Sequence, residues 1–145
     1  MVKNKVFLDT SILITALLSA RGGSFYILTR LRDKYRFQIN NYVLEETLMV
    51  LNKKFSHKSE LKNYLFLLLG FAKIEILSNP SKSLLKRIPG IINKEDLPIL
   101  ISALQGSNYL LTLDKDFLNE KVRSFAKQSN LLIFTPKEFL FKLRK

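Results

Sequence analysis

The sequence predicts an α/β fold with a mostly parallel central sheet, and three observations carry that expectation. Short apolar runs suited to buried strands alternate with longer helical patterns. Helix-start signals follow several of those runs, most clearly the capping box Thr135-Pro136-Lys137-Glu138 with proline at the first helical position. At 145 residues, with 47% hydrophobic residues including 11 Phe, the chain suits one domain over residues 1–145 with a sizeable core.

The elements follow in order. Residues 4–8 read as a short buried strand and 11–19 as a helix. Gly22-Gly23-Ser24 interrupts the chain, with Ser24 as N-cap of a helix over 25–34. Residues 36–40 form a second strand. Asn40 or Asn41 starts a helix to about residue 55, and 59–71 form another that ends at Gly70. In 73–77, alternation puts Ile74 and Ile76 on one face of a third strand. Residues 78–93, with Pro80, Pro89 and Gly90, are a loop, a short helix over 82–88, or both. A helix from about 96 to 104 tolerates Pro98 in its first turn, and Gly106 ends it. Residues 109–113 and 131–134 are buried strands. No repeat, low-complexity tract or linker is evident.

Composition bounds the chemistry. With 24 Lys and Arg against 12 Asp and Glu, the net charge is +12, which favours a polyanionic partner. Basic clusters fall at Arg30, Arg32, Lys34 and Arg36, at Lys53, Lys54, Lys58 and Lys62, at Lys82, Lys86 and Arg87, and at Lys137, Lys142, Arg144 and Lys145. There is no Cys, which excludes thiolate metal sites and cysteine nucleophiles. His57 is the only His, set in a Lys-rich stretch, and reads as a surface residue. A metal site here uses oxygen ligands, which points to Mg²⁺ or Mn²⁺. Asp9, Thr10 and Ser11 interrupt the apolar N-terminal stretch, which argues against a signal peptide. No run reaches the roughly 18 apolar residues of a membrane span, so the expectation is a cytoplasmic protein with no membrane partner.

The acids are few but placed where a parallel sheet forms its sites, outside the carboxyl ends of strands. Asp9 closes the run Val6-Phe7-Leu8, and Asp114 closes Tyr109 to Leu113, with Asp116 two residues on. If those strands are neighbours, the two carboxylates converge. Carboxylates about 4 Å apart repel by about 4 kcal/mol at an effective dielectric of about 20, so such a gathering calls for a cation or raised pKa values. Each acid also has a plainer reading. Asp9 suits a helix N-cap, Asp114-Lys115-Asp116 a solvated turn, and Asp96 a helix start that welcomes negative charge. Glu45 and Glu46 both lie off the apolar stripe of their helix, and periodicity does not choose between them.

In their order, these segments resemble the PIN domain family, most closely the toxin components of prokaryotic toxin–antitoxin systems, the VapC-like ribonucleases. Val6-Phe7-Leu8-Asp9-Thr10-Ser11 looks like the family's first strand and its Asp-Thr-Asn/Ser signature. The segment 43–51 is similar to the helix with the acidic Glu, and its spacing selects Glu46. Glu95-Asp96 before Leu97 resembles the third acidic position, with Asp96 the match. Thr112, Asp114 and Asp116 take the polar positions of the fourth motif, and Phe134-Thr135-Pro136 resembles the last strand-to-helix step. Ser11 stands where Asn is common and Leu113 where Gly is frequent. Nothing carries over to 78–93.

The resemblance implies a three-layer α/β/α sandwich and a divalent-metal-dependent endoribonuclease. Asp9, Glu46, Asp96 and Asp114 would form the catalytic centre. Asp9, Asp96 and Asp114, assisted by Asp116, would hold Mg²⁺ or Mn²⁺, and Glu46 would bind metal or orient water. Thr10, Ser11 and Thr112 would hold these acids through hydrogen bonds. RNA is the implied substrate, a cognate antitoxin protein the implied partner, and relatives of this type often form homodimers. Competing readings are a PIN-type processing nuclease without an antitoxin, a non-catalytic nucleic-acid-binding module, and an interaction protein with an incidental basic surface.

Overall fold

The apolar run that opens the chain becomes β1 (Asn4–Leu8), with Val6, Phe7 and Leu8 fully buried. Burial on both faces suits a strand in the middle of a parallel sheet. In the computed structural model, which describes residues 2–88 and 90–144, β1 is the central strand of five. Pro89 of the irregular stretch and Lys145 of the C-terminal basic cluster lie outside the described residues. The chain continues through α1 (Thr10–Leu18), α2 (Gly23–Arg30), β2 (Tyr35–Asn40), α3 (Asn41–Lys54), α4 (Glu60–Phe71) and β3 (Glu75–Leu77). It then forms α5 (Lys82–Leu85), α6 (Leu97–Leu104), β4 (Tyr109–Leu111), α7 (Lys115–Leu118), α8 (Glu120–Gln128), β5 (Leu132–Phe134) and α9 (Pro136–Leu143).

The strand order is β3-β2-β1-β4-β5, and every pair is parallel. The chain steps outward one way from β1 to β3, then crosses to β4 and steps the other way. With right-handed crossovers, α1 to α4 cover one face and α5 to α8 the other. The result is a three-layer α/β/α sandwich. No single helix among the described residues is long and apolar enough to cross a membrane.

The amino ends of the central strands meet in an aromatic cluster. The Tyr35 and Tyr109 rings lie 5.2 and 5.3 Å from that of Phe139, which is fully buried. Lys142 of α9 donates to the Tyr109 hydroxyl at 2.8 Å, and so ties the last helix to β4.

Several boundaries depart from the sequence expectation for local reasons. Helix α2 starts before Ser24, whose hydroxyl pairs with that of Thr15 at 2.7 Å instead of capping, and it ends at Arg30. Residues 31–34 then make the turn into β2. Lys73 has a φ of 55°, in the left-handed region, so β3 starts only at Glu75. Ile74 is buried but precedes the strand, and Ile76 is exposed because β3 is a sheet edge. Strand β4 is two residues shorter than expected, although the Thr112 amide still pairs with the Phe134 carbonyl at 3.0 Å. Helix α8 has no counterpart among the elements expected from the sequence. Its signals are present: Asn119 caps it through the Val122 amide, and Val122 and Ala126, four residues apart, are its buried pair.

Candidate active site

The site grows from the point where the strand order reverses. β1 pairs with β4 in the register Leu8 to Leu111, so the next residues, Asp9 and Thr112, leave the sheet side by side. The loops after these strands lead to helices on opposite faces, which opens a crevice between them. The Asp9 amide still bonds to the Leu111 carbonyl at 3.1 Å, which holds the start of α1 against β4.

Asp9 occupies the N-cap position of α1 but makes no side-chain capping bond. Its Oδ2 instead accepts from the Ser11 hydroxyl at 2.7 Å and from the Thr112 hydroxyl at 2.8 Å. Thr112, fully buried, also accepts from the Asp114 amide at 3.0 Å, and Ser11 accepts from the Leu113 amide at 3.0 Å. Two hydroxyls thus lock the first acidic segment to the fourth. Thr10, the remaining residue of that signature, donates its hydroxyl to Glu46 on α3. Glu46 is half-buried, whereas its neighbour Glu45 is exposed.

A tighter group lies alongside. Asp96, Asp114 and Asp116 each present a carboxylate oxygen, and the three atoms lie within 4.8 Å of one another. Asp96 is buried at the start of α6 and makes no side-chain cap. Asp114 does cap, accepting from the Asp116 amide at 2.9 Å, so the turn reading and the cluster hold together for this residue. Asp9 is not one of these three, but its charge and theirs act on each other.

Asn93 is a member of this site that the sequence reading did not single out. Its amide donates to Asp116 at 2.9 Å, and its carbonyl oxygen accepts from the Asp96 backbone at 3.0 Å. An Asn three residues before Asp96 is a turn signal, but it sat in the stretch that resembles nothing. Tyr42 joins from α3, donating to the Glu95 carbonyl at 2.6 Å. Buried Asn40 caps α3 and donates to Ser102 at 2.8 Å, which pins α6 to β2.

Electrostatics mark this rim as unusual. Burial pushes the Asp96 carboxyl up to about 7, with the charges of Asp114, Asp9 and Asp116 adding to it and the Asn93 bond opposing it. Burial likewise raises Asp9, against the lowering effect of its Ser11 and Thr112 hydrogen bonds. Glu46 is raised by burial and by the charges of Asp9 and Asp114, while Thr10 opposes the shift. The ion pairs among the described residues use Asp33, Glu75 and Glu138. In a chain with twice as many bases as acids, the five acids of this rim have no ion pair among the described residues. Two oxygens on opposite sides of one Mg²⁺ are about 4.2 Å apart, so the three-Asp group is close to the dimensions of one hard-cation site.

A parallel five-stranded α/β/α sandwich with an acidic crevice at its switch point is the architecture of the PIN fold. No family model matches the chain, and no curated protein matches it. Solved structures do. VapBC2 from Rickettsia felis, crystallised with a DNA fragment from its promoter, matches with a TM-score of 0.64 at 22% identity, over 90% of this chain and 98% of that one. A Pyrobaculum aerophilum protein matches with a TM-score of 0.62 at 15% identity, over 88% and 98%. A PilT N-terminus domain protein from Sulfolobus solfataricus matches with a TM-score of 0.54 at 12% identity, over 95% and 92%. The chain therefore has a PIN-type, VapC-like fold.

Proposed function

We propose that this chain is a divalent-metal-dependent endoribonuclease that hydrolyses RNA phosphodiester bonds, the toxin of a type II toxin–antitoxin pair in the cytoplasm. The observation that carries this reading is the acidic rim, without an ion pair among the described residues, set at the switch point of a PIN-type fold. Asp96, Asp114 and Asp116 would hold Mg²⁺ or Mn²⁺, with Asp9 completing the set. A bound divalent cation there supplies polarisation of the phosphodiester and activation of water. The chain's own residues do the positioning. Ser11 and Thr112 fix Asp9, Asn93 fixes Asp116, and Thr10 steers Glu46. Glu46, held above the usual carboxylate range, orients the attacking water and takes its proton.

An apolar groove of about 830 Å³ supports the partner half of the reading. It runs between α1, α2 and α4 and includes Leu17, Phe25, Tyr64, Leu67 and Phe71. Leu67 is 68% exposed and Phe71 51%, a concentration of apolar surface expected of a protein interface. An antitoxin protein is the partner we assign to this chain.

The test is cleavage of single-stranded RNA by the purified chain with Mg²⁺ or Mn²⁺. Activity should vanish with chelator and with Asp9→Asn. Cleavage that survived both would sink the centre proposed above.

A further inference from the structure

We infer that a basic groove leading away from the acidic rim along α1 carries the RNA strand flanking the cut, with Arg21, Lys34, Lys137 and Arg144 as its phosphate contacts and Tyr26 as a base-stacking platform. This rests on the ribonuclease reading above. It gives roles to basic residues that the sequence analysis leaves without one.

The groove consists of two cavities that share walls. The nearer, about 420 Å³, reaches Leu113, the residue before Asp114, and runs past Thr15, Ser19 and Lys137. The farther, about 530 Å³, is bordered by Arg21, Tyr26, Lys34 and Arg144. Gly22, Gly23 and Leu140 line both, so the two adjoin along that wall. Ser11, Thr15 and Ser19 repeat every four residues and so share one face of α1. That polar line starts at the partner of Asp9 and ends at the glycine pair, about 12 Å along the helix. The floor at Gly23 has little room. A Cβ there would meet Pro136 at 3.3 Å and Leu140 at 3.6 Å, so the start of α2 packs closely on α9 at this point.

Charge decides what fits. Four cations line the two cavities and no acid does. All four are exposed, and none makes an ion pair among the described residues. Glu138, next to Lys137, is turned away to Arg123 and to the Thr135 amide. Tyr26 is half-exposed between them. Unpaired cations beside an exposed aromatic ring along two adjoining cavities are the parts of a single-strand binding track. The cluster at Lys53, Lys54, Lys58 and Lys62 borders neither cavity and provides an internal control.

The experiment measures binding of a labelled single-stranded RNA of about 12 nucleotides to the full chain in chelator, over a range of salt, alongside cleavage with Mg²⁺. Replacing Arg21, Lys34, Lys137 and Arg144 together by Gln should flatten the slope of log K against log salt by about 3 and weaken binding at least tenfold. Tyr26→Ala should weaken it about tenfold, and Tyr26→Phe should not. Gln at Lys53, Lys54, Lys58 and Lys62 should leave binding within about twofold of wild type, because those residues lie off the track. Unchanged binding in the groove variant, loss in the control variant, or a wild-type chain that binds no RNA would each overturn the track. RNA bound through the groove but never cut would overturn the nuclease reading and leave the track standing. RNA cut by the groove variant at wild-type KM would do the reverse.

Discussion

The two ends of the same central strands are built on opposite principles. At their amino ends, Tyr35, Tyr109 and Phe139 close into an aromatic cluster, where Lys142 donates to the Tyr109 hydroxyl. At their carboxyl ends, carboxylates are drawn into partial burial with hydroxyls and amides as partners and without a cationic side chain. One end lowers the free energy of folding; the other raises it for the sake of a charge arrangement. Sites that work against stability in this way are where function is sought. Substitutions at the two ends should therefore have opposite signatures. Asp114→Asn should lower RNA cleavage by about 10² to 10³-fold while leaving the thermal midpoint unchanged or higher. Phe139→Ala should cost about 4 kcal/mol of stability and lower the midpoint by roughly 10 °C, while the rate per folded molecule is kept. Cleavage rates paired with thermal unfolding separate the two, and a destabilised Asp114→Asn protein would break the contrast.

Thr112 sharpens it, because this residue belongs to both regimes. It is fully buried like the core, yet its hydroxyl joins Asp9 to the backbone of Asp114. Thr112→Val keeps the shape and removes the bonds. The expected loss is about 1–2 kcal/mol of stability and 10- to 100-fold in rate, with Thr112→Ser restoring most of both. A rate unchanged by Thr112→Val would show that Asp9 needs no help to hold its position. Asn93→Ala should have a smaller effect of the same kind. It frees Asp116 and the turn before α6, and it should show as a several-fold higher Mg²⁺ requirement for cleavage.

How much of this was legible in the sequence differs between the two ends for a physical reason. The strands and most helices announced themselves through apolar runs, capping residues and proline, all signals read over a few neighbours. Asp9 and Asp114 were legible for the same reason, since each follows a buried run. Their closeness was not, because it depends on β1 pairing with β4 across a hundred residues. Glu46 against Glu45 could not be settled by periodicity; the structure sets Glu46 beside Thr10 and leaves Glu45 exposed. Asn93 lay in an irregular stretch, where its role depends on partners brought in by the fold. Lys137 and Arg144 looked like any other basic residues until α9 set them along one groove with Arg21 and Lys34.

The smallest effect tests the comparison most directly, through pH. Burial at the acidic rim raises Asp96 to about 7, and Asp9 and Glu46 shift in the same direction. A raised carboxyl pKa means that the folded chain holds its proton more tightly than the unfolded chain does. Stability from these groups is therefore full at acid pH and is lost as pH rises from the ordinary carboxylate range to about 7, above which it is flat. Without metal, the thermal midpoint should fall by roughly 5 °C between pH 5 and pH 8, and Asp96→Asn should remove much of that fall. Mg²⁺ acts against the same repulsion, but only where the carboxylates are ionised, because metal and proton compete for them. Added Mg²⁺ should thus raise the midpoint at pH 8 and do little at pH 5. An equal rise at both values would place its binding away from these acids, and the carboxyl end of the sheet would lose its distinction from the rest of the surface.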